Sequence, residues 1–220
     1  LTATTSGANN VAVGSQAMDA NTTGSENVAV GKNALGGNTT ADDNTGVGHQ
    51  ALKATTTGAG NTALGKEALT LNTTGERNVA VGTNTMDANT TGDRNTAVGY
   101  AALSDYNVTD GGNDYNVAVG YAALNQTTTG AFNTAVGGDA LQANTTADNN
   151  TAVGYDALRS NTTGAQNVAI GSQALDANTT ADNNIAIGDS ALTSNTTGTS
   201  NVAVGREALK NNTTADNNTA

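Results

Sequence analysis

One phrase of seventeen residues repeats along the chain: "NTAVGYDALRSNTTGAQ", Asn150 to Gln166, is followed at once by "NVAIGSQALDANTTADN". The glycines that close each "VAVG" stand at 14, 31, 48, 65, 82 and 99, then at 120, 137, 154, 171, 188 and 205. Every step is 17 residues except that from Gly99 to Gly120, which is 21. A fixed period of this size marks a stacked architecture, in which a unit buries its apolar face only against its neighbours. Seventeen residues are too few for a helical hairpin, and the regular columns are β-branched or Gly. The period therefore predicts an all-β fold, a parallel β-solenoid of about 12 to 13 coils. Each coil would carry two short strands and stack on the next at about 4.8 Å, giving a rod of roughly 60 Å. Residues 1–220 read as a single array, broken only by four extra residues in the turn at 104–116.

Composition alone points elsewhere. The 220 residues include one Phe and no Trp, Pro or Cys, too few large apolar side chains for an ordinary core. The repeat overrides that prior. Eight basic against 19 acidic residues give a net charge of −11, which opposes binding to nucleic acid or anionic lipid. The absence of Cys excludes disulfides and thiolate metal sites. No apolar run is long enough for a signal peptide or membrane span. Both ends cut a repeat and neither carries an atypical capping coil, so the sequence reads as an excerpt of a longer polypeptide.

The columns of the repeat assign the faces. The residue before each strand is Asn, from Asn10 and Asn27 to Asn201 and Asn218, which predicts a ladder of amides at a left-handed corner. The Gly after the strand predicts positive φ. In Val11-Ala12-Val13 and its copies the outer side chains share one face and the middle one takes the other. The outer residues Val13, Val30, Val47 and Leu64 are assigned to the coil interior, packed on Leu35, Leu52, Leu69, Leu158 and Leu175, with Met18 and Met86 as substitutes. The middle column is Ala12, Ala29, Ala63, Ala80, Ala97, Ala118, Ala135, Ala152, Ala169, Ala186 and Ala203, interrupted by Gly46. It never drifts to polar residues, unlike the column after the glycine (Ser15, Lys32, His49, Lys66, Thr83, Tyr100). This predicts an Ala face covered by a partner chain on a symmetry axis, with a single-chain solenoid as the alternative.

"NVAVGSQA", "NVAIGSQA" and "NNIAIGDSA" resemble the head repeats of YadA-like trimeric autotransporter adhesins, and "NTAVG..AL..NTTG" is similar to repeats of tail-fibre-like surface proteins. The resemblance spans essentially the whole chain. It implies a left-handed parallel β-roll, a homotrimer formed through the "VAVG" strands, and attachment from a cell or virion surface. The family's repeat is shorter; here the extra residues sit in the "NTTG" turn.

Several local features invite sharper readings. Asn21, Asn38, Asn72, Asn89, Asn144, Asn161, Asn178, Asn195 and Asn212 stand in Asn-x-Thr sequons, read either as glycan acceptors or as builders of a hydrogen-bonded turn. Stacked Thr22 and Thr23 columns suggest an ice-binding face. The long turn gathers Tyr100, Asp105, Tyr106, Asn107, Asp110, Asn113, Asp114, Tyr115 and Tyr121. Aromatic rings beside amides and carboxylates suit sugar recognition, and the oxygens suit calcium; a tolerated surface insertion is the plain alternative. His49 is the only histidine and lies in the variable outward column, so no catalytic set forms. These readings converge on a structural and adhesive segment of an extracellular fibre, without cofactor, acting by multivalent contacts with a host glycan or matrix protein. An ice-binding solenoid and a spacer without ligand are the alternatives.

Overall fold

Each coil holds one strand of three residues, and the rest of the coil is turn. The computed structural model describes residues 3, 5–109 and 111–220. The chain divides into two units, Leu1–Tyr115 and Asn116–Ala220. The first carries β1 (Val11–Val13), β2 (Val28–Val30), β3 (Thr45–Val47), β4 (Thr62–Leu64), β5 (Val79–Val81) and β6 (Thr96–Val98). The second carries β7 (Val117–Val119), β8 (Thr134–Val136), β9 (Thr151–Val153), β10 (Val168–Ile170), β11 (Ile185–Ile187) and β12 (Val202–Val204). Within each unit successive strands pair in parallel, and every residue lies beside its own copy one repeat on: Ala12 beside Ala29, Ala63 beside Ala80, Ala135 beside Ala152. Each unit is a parallel β-solenoid. Among the described residues no helix is long and apolar enough to cross a membrane.

The expected second strand does not form, for a reason written in the backbone. After each strand come three left-handed positions, as at Gly48 (φ 139), Gln50 (φ 61) and Leu52 (φ 53), which cannot belong to an extended segment. The turns bond from coil to coil instead: Leu52 N–H donates to Ala68 O at 3.0 Å and Thr39 N–H to Thr56 O at 3.2 Å. Left-handed backbone costs a large side chain about 1–2 kcal/mol. Fully burying a Leu returns about 1.5–3 kcal/mol, so the strain is tolerated where the side chain goes inward. Leu35, Leu52, Leu69, Leu158 and Leu175 are all fully buried. The strand-closing glycines do have positive φ. At Gly65, moreover, an added Cβ would collide with the Gly82 carbonyl of the next coil.

The two faces of the strand are the reverse of the sequence assignment. Ala29, Ala63, Ala80, Ala97, Ala118, Ala135, Ala152, Ala169, Ala186 and Ala203 are fully buried inside their own chain, and Ala12, in the first coil, is half-buried. Val13, Val30, Val47 and Leu64 point outward, Val13 at 57% and Leu64 at 48% exposure. The interior lies between the Ala and Leu columns and is thin: a Cβ on Gly46 would sit 3.4 Å from Leu35 Cγ and 3.3 Å from Ala51 O. Only a methyl group fits. Ala is therefore required by its own coil, without a partner chain.

Candidate interaction surface

Two amide ladders fix this geometry. In the column before the strand, Asn44 N–H donates to Asn27 Oδ1 at 2.9 Å and Asn61 N–H to Asn44 Oδ1 at 2.8 Å, and so on up each unit. The left-handed corner falls one residue earlier than expected, at Glu26, Asp43 or Arg77, leaving the Asn itself free to turn its amide inward. From Asn27 to Asn201 the asparagines of this column are fully buried. The second ladder is the sequon column: Asn38 Nδ2 donates to Asn21 Oδ1 at 2.9 Å, and Asn89 Nδ2 to Asn72 Oδ1 at 3.0 Å. From Asn21 to Asn195 these asparagines are fully buried, so they build the turn and offer no accessible amide to a glycan.

The threonines after them divide their work. Thr22, Thr39, Thr56 and Thr73 each donate Oγ1–H to the main-chain oxygen of the equivalent Thr in the next coil, at 2.9–3.2 Å. Their neighbours Thr23, Thr40, Thr57 and Thr74 are exposed. One hydroxyl column per unit, not two, faces solvent. Where the motif reads "NTTAD", the Asp closes a further gap: Asp42 Oδ1 accepts Ser25 N–H at 2.7 Å, and Asp182 Oδ1 accepts Ala165 N–H at 2.7 Å.

The long turn is partly interior. Tyr106 stands 17 residues after Asn89, in the place of a ladder Asn, and is fully buried. Its ring fills the space beside Gly92, whose added Cβ would lie 2.8 Å from both Tyr106 Cε1 and Asp114 Oδ2. Asp114 is 5% exposed and replaces the usual Asp of the turn, accepting Asp93 N–H at 2.9 Å and Asn95 Nδ2 at 3.4 Å. Burial pushes its carboxyl above the ordinary value, against the Tyr106 hydroxyl, the Asp93 N–H and the Asn95 amide, which favour the charged form. Tyr106 and Asp114 thus plug the coil and are removed from any surface ligand site. Asn107 Oδ1 accepts the Thr90 hydroxyl at 2.6 Å. Tyr100, Asp105, Asn107, Asn113 and Tyr115 are exposed on the first unit, with the Arg94 guanidinium 5.9 Å from the Tyr115 ring centre; Tyr121 is exposed on the second. Asp110 lies outside the described residues. Among those described, no three His, Asp or Glu side chains gather into a metal site.

What remains at the surface is a flat apolar stripe. On each unit the first and third residues of every strand stand outward in two columns of Val, Thr, Ile and Leu, including Ile170 at 39% and Ile187 at 37% exposure. Two columns flank the stripe in the first unit, exposed except at the half-buried Arg94 and Thr83. One, two residues before the strand, runs Glu26, Asp43, Gly60, Arg77 and Arg94; the other, two residues after it, runs Lys32, His49, Lys66, Thr83 and Tyr100. No family model matches the chain, and no curated protein matches it.

Proposed function

We propose that the chain is a structural and adhesive segment of an extracellular fibre whose copies associate through the outward strand stripe. The observation that carries this reading is the stripe itself. The coil has already buried its Leu and Ala columns, yet every strand still turns two β-branched or apolar residues to solvent, level with those of the next. A contiguous apolar patch of this kind marks an interaction surface. The homotrimer and left-handed β-roll implied by the adhesin-like repeats fit it, with the Val/Thr/Ile face, and not the Ala face, turned to the partner. Fibre display on a cell or virion follows from the same resemblance, and the acidic charge argues against nucleic acid as partner. Attachment would come from weak contacts multiplied along the array. The exposed Tyr100 and Tyr115 with Arg94 are the first place on the first unit to seek a glycan or matrix contact. The ice-binding alternative is left with one exposed Thr column per unit. Adsorption of the isolated protein to glycan- and matrix-coated surfaces tests the adhesive reading. Retention that falls when Tyr100 and Tyr115 are changed to Ala supports it; no retention on any surface reduces the segment to a spacer.

A further inference from the structure

Beside the strand stripe of the second unit, two tyrosines share a column with a glycine between them. Tyr121, Gly138 and Tyr155 each come two residues after a strand, at β7, β8 and β9, and the two tyrosines are 60% and 58% exposed. The backbone beneath them is bonded coil to coil: Asp139 N–H donates to Tyr121 O at 2.9 Å and Asp156 N–H to Gly138 O at 3.1 Å. The tyrosines therefore leave the surface two coils apart, about 9.6 Å at the usual strand spacing. Gly138 lies outside the left-handed region, and an added Cβ would meet only Tyr155 Cδ2 and Cε2, at the ordinary distances of 3.6 and 3.9 Å. Neither the backbone nor the coil interior calls for a glycine there. Its effect is outside the coil: the Tyr155 ring leans over it along the surface, where a longer side chain would stand.

We propose that Tyr121 and Tyr155 form a stacking platform for a linear, neutral glycan of equatorially linked hexopyranose rings, the chemistry of cellulose and chitin chains. One ring packs on each tyrosine and the intervening ring bridges them. The inference gives the attachment proposed above a second place and a ligand class; it rests on that adhesive reading and not on the association of copies. The apolar C–H face of a pyranose packs on an aromatic ring. In an equatorially linked chain each ring is turned over relative to the last and advances by about the height of one coil, so alternate rings present the same face two coils apart. Its hydroxyls then need partners beside the platform. Gln142 Nε2 donates to Asp139 Oδ1 at 2.9 Å, which steadies the residue after Gly138 and leaves Asp139 Oδ2 and Gln142 Oε1 as acceptors. Sugar hydroxyls donate to such oxygens. A proline-rich peptide repeats at nearly the same height, about 9.3 Å per turn, but its prolines have no N–H to offer them. Charge narrows the glycan further. The second unit carries eight acidic and three basic residues, which disfavours sulfated or uronic chains.

The test is affinity electrophoresis of the whole chain in native gels containing hydroxyethylcellulose, glycol chitin or, as an axially linked control, soluble starch, with decaproline as a competitor. The variants are Tyr155→Ala, Tyr155→Phe, Gly138→Lys and the double Tyr121→Ala/Tyr155→Ala. Lys32 and Lys66 occupy the same column of other coils, so the fold accepts lysine there, and thermal unfolding checks each variant. The expected result is retardation by hydroxyethylcellulose, glycol chitin or both, and none by starch; retardation by one alone tells the cellulose-like source from the chitin-like one. The dissociation constant should rise about threefold or more in Tyr155→Ala and Gly138→Lys, with binding lost in the double and kept in Tyr155→Phe. Equal retardation by starch, unchanged retardation of the double, or release by decaproline overturns the glycan platform. Retention on matrix-coated surfaces with free migration in all three gels overturns it and leaves the adhesive reading standing. No retention on any surface or gel overturns both.

Discussion

Asn150 and Asn161 donate their side-chain amides to one acceptor, the main-chain oxygen of Gly164, at 2.9 and 2.8 Å. The first comes from the coil before and the second from the same coil, so the carbonyl ties the two ladders together. The pattern recurs at Gly75 with Asn61 and Asn72, and at Ala181 with Asn167 and Asn178. A chain with one Phe and no Trp holds a fixed fold because most of its polar interior is satisfied coil by coil.

The ladder is expected to dominate the stability of each unit. Asn150→Ala removes the donor to Gly164 and the acceptor of Asn167 N–H, leaving a buried N–H without a partner. A cost of about 2–4 kcal/mol follows, against under about 0.5 kcal/mol for Thr151→Val on the outward face. Denaturant unfolding of the two variants measures the contrast.

The same logic predicts a stabilising change. Thr55 interrupts the sequon ladder, its hydroxyl has no partner, and neither does Oδ1 of the neighbouring Asn38. Thr55→Asn supplies an amide to Asn38 Oδ1 and to the Gly58 carbonyl, and should raise stability by about 1 kcal/mol. An unchanged or lower melting temperature would contradict the ladder account.

The sequons are expected to stay bare. Passage through a glycosylating secretory pathway should leave Asn38, Asn72, Asn89, Asn144, Asn161 and Asn178 unmodified in the folded protein, because each amide is buried and already donating. Glycopeptide mass spectrometry reads this site by site; a glycan on Asn161 would show that the coil opens there before it folds.

Mild acid should not unfold these coils through their buried carboxylates. Asp114, Asp87 and Asp176 all have pKa values raised above the ordinary carboxylate value, burial being the largest cause in each case. When the folded pKa exceeds the unfolded one, the folded state binds more protons between them, so stability falls as pH rises through that window and is recovered on acidification. Asp114→Asn keeps an acceptor for Asp93 N–H without the charge. It should be at least as stable as wild type at neutral pH, with a flatter melting temperature from neutral pH down into the carboxylate range. Greater sensitivity to acid in the wild type than in the variant would reverse this sign.

The period, the parallel stacking and the first amide ladder were legible because they depend on columns, and columns are visible without coordinates. The phase of the strand was misread although the signal was present. An Asn that bonds the carbonyl of the next coil must point inward. Alternation then puts Val28 outward, Ala29 inward and Val30 outward. Reading Val as core by hydrophobicity ignored how little room lies between Ala29 and the Leu column. The left-handed leucines were not foreseeable from propensity, since Leu52 at φ 53 is tolerated only because burial offsets the strain. The Tyr106–Asp114 plug was taken for a ligand site because an aromatic beside a carboxylate looks alike in a loop and in an interior. The clue was register: Tyr106 falls 17 residues after Asn89, in a buried column.

The central claim is that the outward Val/Thr/Ile stripe joins copies of the chain. Light scattering during size exclusion tests it most directly, on the wild type and on a variant with Val136→Asp and Ile170→Asp, both exposed on the second unit. The account predicts a wild-type mass of three chains of 21.6 kDa, falling to one chain in a variant that keeps its β-sheet circular dichroism. A wild type that stays at one chain mass across the accessible concentration range would contradict it.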